Sequence, residues 1–115
     1  MMDLKQLKIR ILKEDDNILT IEEIDRLLNN SVEPKEKWFY RGLKHMYENH
    51  YTEAIKWFQL VNNDLSRYLI YLIAFKLKDE FIMQEYKTDI ENLDLKLKPV
   101  FVYRDRIIYP KEIVK

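Results

Sequence analysis

The chain has no cysteine. That excludes disulfides, thiolate nucleophiles and cysteine-based zinc sites, and it suits a reducing compartment. There is one glycine, Gly42, and only three prolines in 115 residues. So few glycines argue against phosphate-cradling loops, β-propellers and many-turned β-sandwiches, and fit helices joined by short polar connections. An excess of one charge is missing too. The 20 basic and 20 acidic residues balance to a formal net charge of zero, so any nucleic-acid or membrane binding needs a local patch. The longest apolar run, Tyr68–Phe75, is far short of the roughly 20 residues that span a bilayer. The N-terminus, MMDLKQLKIRIL, lacks the apolar core of a signal peptide. These absences point to a soluble, cytoplasmic, single-domain protein. The abundance of Lys, Ile and Asn is compatible with an A+T-rich bacterial genome.

Residues 3–14 read in two ways. Leu4, Leu7 and Ile11 stand at helical spacings, while Leu7, Ile9 and Ile11 alternate with Lys8 and Arg10 as in a strand. The helical stripe is preferred, and Asp15-Asp16-Asn17 ends it. Thr20-Ile21-Glu22-Glu23 is a capping-box sequence, so a second helix is expected from Ile21 to about Asn29-Asn30-Ser31. Pro34 suits the first turn of a third helix that runs to about Glu48. Asn49-His50 makes a turn, and Tyr51 to about Val61 forms a fourth helix. Asp64 is the candidate N-cap of a fifth, Leu65 to Lys78. A sixth covers Glu80 to Leu93, with Phe81, Ile82, Tyr86, Ile90 and Leu93 along one side. Beyond Pro99 the sequence VFVYRDRIIYP is β-branched and aromatic, an extended segment or irregular hairpin with no Asn-Gly or Asp-Gly turn. Ile113 and Val114 are expected to dock the tail. Residues 1–98 thus read as a helical domain, with 99–115 packed on it.

The most specific stretch is Trp38–Phe58, WFYRGLKHMYENHYTEAIKWF. Trp38 and Gly42, then Ala54 and Phe58, match the pattern W-x2-L-G-x2-Y followed by A-x3-F, and Tyr51 adds an aromatic. Gly42 and Ala54 are small where two helices would cross closely, and the aromatics would fill the wedge beside them. Over Trp38–Val61 the chain therefore resembles a tetratricopeptide (TPR) helical hairpin. Arg41, His45 and Asn49 depart from the pattern, and no proline follows Phe58. A looser period of about 30 residues relates Ile21, Tyr51 and Phe81, and also Trp38 and Tyr68. Ile24 and Gln84 take the Ala54 place. The resemblance implies an all-α fold of about six helices stacked as antiparallel hairpins, with a short extended C-terminal segment.

It also implies a non-catalytic protein-binding module such as an adaptor, a chaperone-like escort or an inhibitor. In that family the ligand groove is lined by the first helix of each pair, which here holds Phe39, Leu43, Met46, Leu69, Ile73 and Lys76. These positions are mostly apolar, so an apolar or amphipathic segment fits better than the acidic C-terminal peptide taken by a carboxylate clamp. The alternative is that the chain's own VFVYRDRIIY segment covers this face. Tyr68–Phe75 is apolar all round and must be covered by neighbours or a second copy. His45 and His50, five residues apart, meet no zinc spacing, and no triad, phosphate loop or dinucleotide fingerprint is present. No catalytic residue, metal or cofactor is assigned. The second reading is nucleic-acid binding through Lys98, Tyr103, Arg104 and Arg106, with Lys96, Lys111, Phe101 and Tyr109 nearby and Lys5, Lys8, Arg10 and Lys13 as a further basic face.

Overall fold

The computed structural model describes residues 3–90 and 96–114, apart from the side chains of 89 and 90. The molecule is mostly helical, with a small three-stranded antiparallel sheet. Helix starts follow their capping residues. The Glu23 amide donates to Thr20 Oγ1 at 3.1 Å and the Thr20 amide to Glu23 Oε1 at 3.2 Å, so helix α1 spans Ile21–Asn30. Pro34 opens α2, Pro34–Tyr47, and α3 is Tyr51–Val61. Helix α4, Asp64–Leu77, starts one residue earlier than expected. Its N-cap is Asn63 rather than Asp64, because Asn63 and Ser66 each donate an amide to the other's side chain, both at 2.8 Å. Helix α5, Glu80–Tyr86, passes into a 3-10 turn, Lys87–Ile90. Of the stripe expected there, Ile82 and Tyr86 are half-buried, but Phe81 is 84% exposed. The Ile90 side chain and Leu93 lie outside the described residues.

The turns work without glycine. Asn49 and Lys78 adopt left-handed φ values of 66° and 59°. After α2, the His50 amide donates to the His45 carbonyl at 2.8 Å and the Asn49 amide to Met46 at 3.1 Å. After α4, the Asp79 amide donates to Ala74 at 2.9 Å and the Lys78 amide to Phe75 at 3.1 Å. Each pair of bonds is a Schellman ending that satisfies the last helical carbonyls. Helices α2 and α3 then pack as an antiparallel hairpin that crosses at Gly42. A Cβ added there would lie 2.5 and 2.8 Å from two ring carbons of Phe58, which is fully buried beside Phe39 at 5.8 Å between rings. Ala54 is fully buried as well.

Residues 3–14 do not form the expected helix. After a 3-10 turn at Leu4–Gln6, Lys8–Leu12 is strand β1, which pairs antiparallel with β2, Lys98–Tyr103. β2 pairs in turn with β3, Arg106–Ile108. The period of two prevails because it buries Leu7, Ile9 and Ile11 together while Lys8 stays in water. The basic C-terminal segment is therefore a hairpin. Its loop residues, Arg104 and Asp105, have φ of 49° and 63°, both positive as a type I′ turn requires, with no glycine to supply them. Pro99 sits opposite Ile11, whose amide and carbonyl point away from β2. Its missing N–H therefore faces a side that β3 does not reach, and no ladder bond is lost.

Each edge of the sheet is capped at one point. On β1, the Ile11 amide donates to Tyr47 Oη at 3.1 Å, and the Ile11 carbonyl accepts from the Leu19 amide at 2.8 Å. On the other side, the Tyr109 amide donates to Glu112 Oε2 at 2.7 Å, and the short helix α6, Pro110–Ile113, ends β3 after three residues. Ile113 and Val114 do dock on the core, half-buried. The core lies between the sheet and the helices, where Phe101 meets Phe75 at 6.0 Å between rings. Residues Leu69–Ala74 of α4 are all buried, so this apolar helix is covered within the chain.

Candidate functional site

The face expected to form an open groove is filled. Leu43, Met46, Leu69 and Ile73 are fully buried and Phe39 nearly so, in one cluster with Leu7, Ile9, Ile11 and Phe101. The cover is the sheet, to which β1 contributes Ile9 and Ile11 and the C-terminal hairpin Phe101 and Ile108. This is a correction: these five side chains form this chain's own core. The reason is that β1 supplies an alternating apolar edge that fits the space between α2 and the hairpin. Of the five, Phe39 edges a shallow cleft of about 300 Å³ beside Tyr40, Val61 and Glu36.

Lys76, the charged member of the set, holds that cover in place. Its Nζ donates to the Leu4 and Lys5 carbonyls at 3.1 Å each and to the Leu7 carbonyl, so it closes the 3-10 turn ahead of β1. The ammonium also stands 5.3 Å from the centre of the Tyr51 ring. Burial pushes its pKa down; Asp3 opposes that shift, while Arg10 and Lys8 add to it. Lys76→Met should therefore cost roughly 1.5–3 kcal/mol, the worth of hydrogen bonds to a charged group. Hydrogen exchange at the β1 amides should accelerate, and Lys76→Arg should rescue poorly because a planar fork cannot converge on three carbonyls. Unchanged exchange at Ile9 and Ile11 in Lys76→Met would remove this role.

The residues of the second reading separate into two groups. Tyr103, Arg104 and Arg106 lie together at the hairpin tip, with the Arg104 guanidinium 5.2 Å from the Tyr103 ring centre. Lys98 is at the other end of β2, opposite Leu12. Phe101 is fully buried and offers no stacking face. Of the further basic residues, Lys13 is paired with Glu23 at 2.9 Å, and the Arg10 guanidinium lies 4.4 Å from the Tyr47 ring centre. Lys8, opposite Val102, lies at the tip end of the sheet.

The histidines come closer than their spacing predicts. The left-handed turn at Asn49 folds His50 back, so that the rings of His45 and His50 are 5.8 Å apart. No third ligand joins them: among the described residues, no group of three or more His, Asp or Glu is placed to hold a metal ion. Two features escaped the sequence reading. Tyr47 closes the β1 edge, and its signal was only an apolar position late in a helix. Phe81 is 84% exposed and Leu77 47% exposed, and the repeat offered their signal, since among the described residues no further first helix follows α5. No described helix is long and apolar enough to cross a membrane. Comparison with protein-family models, curated proteins and solved structures finds no match.

Proposed function

We propose that the chain is a TPR-like stack that acts as a non-catalytic, cytoplasmic protein-binding module, taking an amphipathic helix of a partner at the α4–α5 end. The observation that carries this reading is the exposure of Phe81. Tyr51, one period of about 30 residues earlier, is half-buried against Lys76 of the following helix α4. Leu77, 47% exposed, and Phe81 stand where another first helix of the stack would pack. A helix supplied by another protein would continue the stack and bury both, in the manner of helix-in-groove recognition. The adaptor, chaperone-like and inhibitor roles all use such a surface.

The test compares wild type with Phe81→Glu. Phe81 is 84% exposed, so circular dichroism should be unchanged. Quantitative affinity capture from the native host should enrich a protein with wild type and lose it with the variant. If no protein depends on Phe81, the reading fails. If wild type self-associates in sedimentation and the variant does not, the occupant is a second copy and the adaptor reading fails too.

A further inference from the structure

The joint between α3 and α4 shows what one helix of this chain asks of the next. Tyr51 is the first residue of α3, and Lys76 lies in the last turn of α4. Helix α4 turns back along α3, so its last turn meets the start of α3, with the Lys76 ammonium 5.3 Å from the centre of the Tyr51 ring. The α5 end of the molecule repeats the ring without the cation. Phe81 is the second residue of α5 and 84% exposed, and Leu77 closes α4 at 47% exposed. Residues three and four apart share a helix face, so Gln84 and Glu85 stand on the side of Phe81, and both are exposed. Around Phe81 the acids Asp79, Glu80 and Glu85 outnumber Lys78, while Lys87, six residues past Phe81, falls on another side of the helix. Asp79 is engaged as the cap of α5, accepting from the Ile82 amide at 3.1 Å. Neither Glu80 nor Glu85 forms an ion pair with a described residue.

We infer that the helix taken at this end is basic in its last turn, with a lysine or arginine seated over the Phe81 ring and beside Glu85. This rests on the proposed stack and names the chemistry of its occupant. A helix that continues the stack runs antiparallel to α5. Its last turn then falls against Phe81 and Leu77, as the last turn of α4 falls against Tyr51. A cation there meets an aromatic face and a carboxylate at once. It also suits the end of its own helix, where the macrodipole is negative. An acidic last turn would be repelled by Glu85, and a purely apolar one would cover Phe81 but leave the carboxylate without a partner.

Three fluorescent peptides of 14 residues, the length of α4, test this. All carry leucines at helical spacing among alanines and glutamines, and they differ only in the last turn, which holds lysine, glutamine or glutamate. On wild type, anisotropy should rank them lysine, glutamine, glutamate, with about fivefold between first and last at low salt. The gap should narrow as salt is raised. Glu85→Lys should reverse the order without changing circular dichroism, because Glu85 is exposed. Phe81→Ser should weaken all three. Equal affinities, or an order that Glu85→Lys leaves as it was, overturn the basic helix and spare the stack. If no peptide binds, or if Phe81→Ser binds all three as wild type does, the reading of the α4–α5 end fails with it.

Discussion

Phe58→Ala should destabilise the fold by about 3–5 kcal/mol, the usual loss for a fully buried aromatic. Against a total stability of about 5–15 kcal/mol, that is a large share. The partner substitution makes the prediction sharper. Gly42→Ala adds a methyl group 2.5 Å from the Phe58 ring, and Phe58 has no exposed side into which to retreat. Overpacking costs about 1–3 kcal/mol, while removing a mid-helix glycine returns about 1. The contact is close enough to place Gly42→Ala near a net loss of about 1–2 kcal/mol. In the Phe58→Ala background the obstacle is gone, and the same substitution should become stabilising by up to about 1 kcal/mol. Chemical denaturation of the four proteins in a double-mutant cycle reads this change of sign directly. A Gly42→Ala effect that is the same in both backgrounds would mean that the crossing is not what selects glycine.

Tyr47→Phe should cost about 2–4 kcal/mol, because two buried backbone groups lose their partner at once. The hydroxyl donates to the Leu19 carbonyl at 2.6 Å and accepts from the Ile11 amide at 3.1 Å. The apolar body of the ring remains, so a loss at this level separates hydrogen bonding from packing. A secondary effect follows from the edge. With the Ile11 amide free, β1 regains an unpaired donor on its outer side, and the variant should aggregate more readily at raised temperature. Thermal denaturation with light scattering measures both, and a Tyr47→Phe protein as stable as wild type would show that the hydroxyl is dispensable.

What could be read from the sequence was local. The Thr20–Glu23 box, Pro34 at a helix start and the Gly42/Ala54 spacing each state their own geometry within a few residues, and the four central helices lie where those signals place them. Residues 3–14 failed because their stripe satisfies both periods. What decides for a strand is a partner near residue 100, which no local window contains. The groove failed for the same reason. Phe39, Leu43 and Met46 pack in one cluster, yet whether the face they share is open depends on β1. The hairpin tip was obscured because Arg104 and Asp105 accept positive φ where Asn-Gly is the usual sign.

The pairing of Ile9 with Phe101 has a consequence for the order of assembly. Closing a loop of about ninety residues costs around 4 kcal/mol of chain entropy beyond a constant term, whereas the α2–α3 turn closes for far less. During synthesis the helical hairpins can form while β2 and β3 are still inside the ribosome. Until β2 emerges, β1 has no partner across its ladder, and the apolar surfaces of α2 and α4 stay uncovered. The strand that completes the core is therefore made after all the helices it covers, and a nascent chain stalled before residue 98 would be the form most in need of a chaperone.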